Sequence, residues 1–289
     1  MGEMKRAIAR EQEERRTQDR FDAGALVCMN IGTMGWTKSN SRNLGKAQLI
    51  SVERELKMSR KVLSLCLIAG SIVPATVFSQ SFLSQYKGLP YHDSRYQGGP
   101  QKIPGRVLCA YYDLGGEGVA YHDTDPQNHG SGELNPADGT YLNEFRIHEG
   151  VDTSYTKFDR KPDQIDDNPF DKIVPPRDLP YVGWTEPGEW FNITVDVANA
   201  GTYAADFLYT SNRGGTISID VNGNDATGPL EITSTNDPTD PLAWRHWHHW
   251  NLAPQLFKVR LNKGRNVLTV HILTKGNMNL AYFDFKQTQ

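Results

Sequence analysis

The sequence predicts an all-β sandwich over roughly its last two thirds, preceded by a stretch that builds no core. Three observations carry this expectation. Eight short runs with strand character, at residues 106–112, 118–122, 190–197, 202–210, 216–221, 256–261, 267–273 and 280–285, recur between turn signals. Glycine (26) and proline (16) are abundant for a chain of 289 residues, which suits many turns and few helices. No long segment with helical periodicity follows residue 80.

From the amino terminus, residues 4–20 are charged throughout, and their apolar positions make no continuous face that could bury against a core. The pattern changes at Met58. Ser59, Arg60 and Lys61 precede an apolar run over 62–73, followed by Pro74 and small residues up to Ser79. This is a positive n-region, an h-region too short to span a bilayer and a V-F-S cleavage sequence. The expectation is a signal peptide at 58–79 that starts at Met58, with 1–57 an upstream extension, disordered or a charged helix, and export to the periplasm or the exterior. Of the three cysteines only Cys109 lies beyond this segment, so it is expected as a small buried apolar residue with no disulfide partner. Residues 80–102, rich in Gln, Ser, Tyr, Gly and Pro, read as a linker.

In the strand runs the alternation is explicit. Ile217, Ile219 and Val221 fall at every second position, and Asn222-Gly223 then reverses the chain. Further on, Leu268, Val270 and Ile272 line one face while Val267, Thr269, His271 and Leu273 line the other. The preceding Asn-Lys-Gly supplies a tight turn, which predicts a hairpin with 256–261. Trp190 opens an alternating strand and is expected in the core. The stretches 124–150 and 157–180, dense in Pro, Asp and Asn, are too long for simple turns and are where a sandwich places binding residues.

Composition narrows the function classes. A formal charge of −3 gives no basic field to hold a phosphate backbone, so nucleic acid is excluded as the expected partner, while six tryptophans suit a neutral ligand. His246, His248 and His249 invite a metal reading. Strand alternation would send His249 to the opposite face, no carboxylate completes the set at a diagnostic spacing, and no metal site is expected there. Glu117, Asp123, Glu144, Glu149, Asp152, Glu186 and Glu189 supply carboxylates enough for glycoside hydrolysis. No nucleophile motif or phosphate loop arranges them, so a binder is expected, with a glycoside hydrolase, a polysaccharide lyase or a protein-binding surface sandwich as the alternatives.

Three blocks stand out in order: I-P-G-R-V-L-C-A-Y-Y-D-L-G-G-E-G-V-A-Y-H-D-T at 103–124 with E-G-V-D at 149–152, Y-V-G-W-T-E-P-G-E-W-F-N-I-T-V-D-V-A-N-A-G-T-Y at 181–203, and G-N-M-N-L-A-Y-F-D-F at 276–285. Together they resemble the family 6 carbohydrate-binding modules, a β-sandwich family of the galactose-binding-like, jelly-roll type. The resemblance covers roughly 103–287. It implies a secreted, non-catalytic protein that holds a polysaccharide or oligosaccharide in a loop cleft, as an accessory to other polysaccharide-degrading proteins.

Carried onto this chain, the resemblance implies that two aromatic rings grip a sugar and that an Asn before the last strand bonds its hydroxyls. One ring is Trp184, the Asn is Asn279, and the second ring is Trp244, with Trp247 its nearest competitor. Glu186 is a candidate hydroxyl acceptor. Trp244, Trp247 and Trp250 recur every three residues, and at least one of them is expected in the core. Indole faces cover the C–H side of a pyranose while amides and carboxylates meet its hydroxyls. Two stacks of about 1 kcal/mol each imply affinities of roughly micromolar to millimolar, raised by multivalency on a polymer. Members of the family commonly bind a structural calcium through acids at positions occupied here by Leu108, Ala110 and Ala281, so no calcium, and no other cofactor, is expected there.

Overall fold

The computed structural model describes residues 82–158 and 163–288; the expected extension at 1–57 and signal peptide at 58–79 lie outside the described residues. In chain order the strands begin with β1 (Gln101–Ile103), β2 (Gly105–Leu108), β3 (Tyr121–His122), β4 (Ser131–Gly132) and β5 (Asn135–Pro136). Next come β6 (Thr153–Tyr155), β7 (Pro180–Val182), β8 (Trp190–Val197), β9 (Gly201–Ser211) and β10 (Gly215–Val221). The last are β11 (Asn224–Asp225), β12 (Leu230–Ile232), β13 (Asn251–Leu261), β14 (Gly264–Thr274) and β15 (Met278–Gln287). Short 3-10 helices lie at Cys109–Tyr111 and Ala243–Trp247.

Two sheets pack face to face, the all-β sandwich the sequence predicts. One runs β1-β8-β14-β10-β11, with β3 beside β8 and β12 beside β10; the other runs β13-β9-β15-β7-β6, with β2 beside β15. Alternation decides which residues meet between them. Phe191, Ile193, Val195 and Val197 of β8 with Leu268, Val270 and Ile272 of β14 face Tyr203, Ala205, Phe207 and Tyr209 of β9 with Phe257, Val259 and Leu261 of β13. Cys109 is fully buried in this core, as expected, and burial pushes its thiol pKa up. Asn222 and Gly223 both adopt positive φ (51° and 74°), the turn that reverses β10 into β11.

Three expectations are corrected. First, β13 and β14 do not form a hairpin: β13 pairs with β9, and β14 pairs with β8 and β10. The Asn262-Lys263-Gly264 turn carries the chain from one sheet to the other. The reason is that Phe257, Val259, Leu261 and Leu268, Val270, Ile272 can both be buried only when their strands face each other across the core.

Second, residues 82–102 are not a linker. The row Asn192, Thr194, Val267 and Thr269 on the outer face of the first sheet is buried, because the segment after Phe82 lies against it. The Tyr86 hydroxyl donates to Asp113 Oδ2 (2.7 Å), whose carboxylate accepts from the Thr194 amide (2.8 Å) and hydroxyl (2.6 Å). Asp113 thereby fills the edge of β8 between β3 and β1. Gly223 sits so close to Phe82 that an added Cβ would come within 2.5 Å of the ring. Leu89 bridges to Leu114, Tyr91 enters the main core, and Gln101–Ile103 pairs in parallel with β8.

Third, Trp190 is half-buried rather than core. Phe191 takes the inward position, so Trp190 lies on the outer face, opposite His122 of β3 and His271 of β14.

The outer face of the second sheet is covered as well. Leu179, Tyr181, Leu208, Trp250, Ala281 and Tyr282 form a second apolar cluster, with Leu108 and Ile173 packed on it. A register shift between Leu280 and Tyr282 sends both Ala281 and Tyr282 outward, while Leu280 and Phe283 stay in the main core. Two of the three positions discussed for calcium, Leu108 and Ala281, thus lie in this apolar cluster, and Ala110 is buried in the main core. No helix of the described residues is long and apolar enough to cross a membrane.

Candidate functional site

Trp184 lies one residue, Gly183, beyond the end of β7, and its surroundings are built from three loops. Asn128 organises the first: its side-chain oxygen accepts from the amides of Gly130 (3.0 Å), Ser131 (2.9 Å) and Thr153 (3.2 Å), while its amide donates to the Thr153 hydroxyl (2.9 Å). Gly130 is thereby pressed onto the backbone of β6, where an added Cβ would come within 2.1 Å of the Thr153 carbonyl and 3.0 Å of the Trp184 ring. Only glycine fits there. The indole of Trp184 rests on this platform, half-buried, on a backbone held at φ 48°. Asp152 clamps both sides, its carboxylate accepting from the His129 amide and its carbonyl from the Gly183 amide (2.9 Å).

Behind Trp184 the chain turns through Thr185–Gly188, against the 275–277 loop. Lys275, Gly276 and Asn277 are consecutive residues at positive φ, and the Asn277 amide donates to the Thr185 carbonyl. Glu186 is exposed, and its Oε2 accepts from the Thr124 hydroxyl (2.9 Å). Glu189 beside it is buried and accepts from the Glu186 amide (2.8 Å) and the Thr124 hydroxyl (2.9 Å). Burial, and then the negative charge of Asp123, push the Glu189 carboxyl up to about 8, against the pull of those bonds. Burial pushes Asp123 up to about 6.

The tryptophan-rich arm comes from the other side. Residues Ala243–Trp247 form a 3-10 helix, in which positions three apart eclipse, so Trp244 and Trp247 project in the same direction. Both are half-buried, whereas Trp250 is fully buried and is the core member expected of the three. The indole nitrogen of Trp247 is buried and has no hydrogen-bond partner. The Trp247 carbonyl accepts from the Thr210 hydroxyl (2.5 Å) and from Asn279 Nδ2 (2.7 Å). Asn279 is itself only 6% exposed, with its Oδ1 turned to Gly183.

Buried carboxylates hold this arm. Asp240 receives Arg245 Nε (2.7 Å) and a second Arg245 nitrogen (2.8 Å), His249 Nε2 (2.8 Å) and the Leu242 amide (3.0 Å). Burial alone would raise its pKa, but these bonds and the guanidinium charge bring it down to about 2. Because the Asp237 amide donates to His249 Nδ1 (3.2 Å), the proton of that imidazole sits on Nε2, toward Asp240. Asp166 bonds His248 Nδ1 (2.8 Å) and the Trp250 indole N–H (2.7 Å). Asp171 accepts from the Trp250 amide (2.8 Å) and is pushed up to about 7 by burial.

The three imidazoles therefore go to three different acceptors, His246 Nε2 to the Asp240 carbonyl (2.9 Å) being the third. They lie in and just after a 3-10 helix rather than in the strand that the alternation argument assumed. Among the described residues no group of His, Cys, Asp and Glu has the arrangement of a metal site.

The structure brings Trp184, Asn279 and the Trp247 backbone together through Gly183, and keeps Glu186 on the Trp184 turn. Several other carboxylates named from the sequence serve loops. Glu149 binds Arg146 and the Tyr112 hydroxyl, Glu117 binds His122 and the Asp123 amide, and Glu144 caps Gly139. Sequence reasoning missed Asn128, Gly130, Thr210, Asp166 and Asp240. Asn128 alone offered a local signal, an Asx turn before Gly130-Ser131.

No family model matches the sequence, and no curated protein matches it significantly. Its structural neighbours include carbohydrate-binding modules of families 35 and 6. It is similar to a family 35 module from Clostridium thermocellum at 26% identity, over 37% of this chain and 78% of the module, with a TM-score of 0.30. A carbohydrate-binding module of Cellvibrio mixtus lichenase 5A, solved with cellotriose, shares 20% identity over 38% of this chain and 79% of the module (TM-score 0.31). A β-1,3-glucan-binding family 6 module from Bacillus halodurans shares 14% over 65% of this chain and 98% of the module (TM-score 0.36).

Proposed function

We propose that this sandwich is a non-catalytic module that binds a polysaccharide or oligosaccharide at the rim formed by Trp184 and the 243–250 arm. The observation that carries the reading is the setting of Trp184: a large half-exposed indole, held at positive φ on a glycine platform that accepts no other residue. Trp244 or Trp247 supplies the second apolar surface, and the exposed Glu186 accepts a hydrogen bond from a sugar hydroxyl. Glu117, Glu144 and Glu149 are engaged within their loops rather than offered as an acid and base pair.

Native gels cast with neutral β-glucans, xylans and agarose test the reading. The wild-type chain is retarded in at least one, and Trp184→Ala loses retardation by about fivefold or more in Kd, the equivalent of one stack. No retardation in any glycan, or an unchanged Trp184→Ala, would sink it, and released reducing ends that vanish in Glu186→Ala would favour an enzyme. Export from a start at Met58 belongs to the same proposal; amino-terminal sequencing of the secreted protein should begin near Gln80.

A further inference from the structure

We propose that Glu189 is a positioning residue for glycan binding: its carboxyl is the proton donor of a two-bond relay, Glu189 to Thr124 to Glu186, that holds the exposed Glu186 carboxylate in place two residues from Trp184. The proposal deepens the sugar-binding reading and rests on it for its consequence, while the relay itself stands on geometry.

The count of protons carries it. The Thr124 hydroxyl oxygen lies 2.9 Å from Glu186 Oε2 and 2.9 Å from Glu189 Oε1. A hydroxyl has one proton to give, so toward the second of two partners it must accept. Ionised carboxylates only accept, and with both acids charged one of the two contacts would set lone pair against lone pair. Both become hydrogen bonds when one of the acids holds a proton. Burial decides which: Glu189 is 8% exposed, whereas Glu186 faces water. The Glu189 carboxyl, pushed up to about 8 by burial and then by the charge of Asp123, is the acid at neutral pH.

The Glu189 proton then points to Thr124, and the Thr124 proton points to Glu186. Glu189 Oε2 also accepts from the Glu186 amide (2.8 Å), so the backbone and the side chain of Glu186 are tied to the same carboxyl. The frame is stiff, since Thr124 follows β3 closely and the Ile272 amide of β14 donates to the Glu189 carbonyl (2.9 Å). The other charges around the relay are Asp123, Asp125 and Glu117. Nearby basic groups are engaged elsewhere: His122 of β3 with Glu117 (2.5 Å), His271 of β14 with Asp220 (3.1 Å), and Lys275 with the Arg213 carbonyl (3.4 Å).

Ionisation of Glu189 undoes the arrangement. Two carboxylates then compete for the Thr124 proton, Glu189 repels Glu186, and the fixed bond to Glu186 is lost. Glycan affinity should therefore fall as the pH rises through about 8, whereas Asp123, pushed up to about 6, titrates below that step.

The test begins without glycan, as 13C NMR of protein labelled at the glutamate carboxyl carbon, with resonances assigned by Glu186→Gln and Glu189→Gln. Glu189 should titrate near 8, and Glu186 should report a second step at the same pH. Thr124→Val should shrink that second step, and Thr124→Ser should restore it. A Glu189 that titrates in the ordinary carboxylate range, or a second step untouched by Thr124→Val, overturns the relay.

With the best glycan from the gel panel, wild-type affinity should fall about fivefold between about pH 7 and about pH 9.5, the worth of one hydrogen bond. Glu189→Gln, whose amide N–H takes the place of the acid O–H, should make binding independent of pH over that range. This variant keeps the question answerable where Thr124→Val folds poorly. A flat wild-type profile across the Glu189 ionisation, or a decline that persists in Glu189→Gln, overturns the positioning role. A wild-type protein that binds no glycan defeats the sugar reading alone, since the glycan-free titration still decides the relay.

Discussion

Replacing Asp240 by alanine perturbs the arm at the point where most of its charge is concentrated. The Asp240 side chain is wholly buried and Arg245 is 7% exposed, so the guanidinium has the carboxylate as its counter-ion at 2.7 Å and little water. Removing one partner of such a pair leaves a buried charge without compensation and costs about 3–5 kcal/mol. For a domain of this size each kcal/mol moves the midpoint by about 2–4 °C, so a fall of roughly 6–20 °C is expected. Urea unfolding followed by tryptophan fluorescence at pH 7 gives the free energy directly. Arg245→Met in the same background removes the orphaned charge, so the double variant should be more stable than the sum of the single losses by about 2 kcal/mol. A cost below about 1 kcal/mol for Asp240→Ala, or strict additivity, would refute the reasoning. The pH dependence has a fixed sign. The folded carboxyl titrates near 2 against an ordinary 3.8, so its contribution is present above about pH 4 and is lost as the pH falls through 2.

Glu189 carries the opposite sign: with its carboxyl raised from 4.5 to about 8, stability should fall as the pH rises through that window, because the unfolded chain ionises first. Glu189→Gln should therefore gain on the wild type by a few kcal/mol between pH 5 and pH 8, read from midpoints at each pH, and a pH-independent difference would contradict the burial argument. Tyr86→Phe removes one donor from the buried Asp113 and should cost about 1–3 kcal/mol, whereas a truly tethering segment would tolerate it without loss.

The fold was legible where a strand has one wet face and one dry one. In β10 the period of two located Ile217 and Ile219 to the position, and Asn-Gly located the turn, whereas in β8, covered on both faces, Trp190 was assigned to the wrong side. It was less legible where both faces are covered. Val267 and Leu268 are both buried, so the run alone could not say that its neighbours are β8 and β10 rather than the preceding strand. The 82–102 stretch failed for a different reason. Phe82 stacks on Tyr86 and Tyr91 on Tyr96 and Tyr111, small clusters that fill places on a surface made elsewhere and, among Gly, Ser and Pro, leave no sustained period to read.

The 244–250 segment shows why the site was legible only in part. A spacing of three gave Trp244, Trp247 and Trp250 one shared prospect, yet the 3-10 helix ends at Trp247 and His248 leaves it at φ −122°. Trp250 then turns into the second apolar cluster, its indole N–H received by Asp166, 84 residues away in the chain. His248 is fixed by the same carboxylate from 82 residues away. What separates a buried tryptophan from two half-exposed ones is therefore an acceptor supplied by a distant loop whose Asp-rich composition reads locally as turn chemistry. The resemblance could propose which residues line the rim, but the orientation of each ring depends on long-range hydrogen bonds that leave no mark on the nearby sequence.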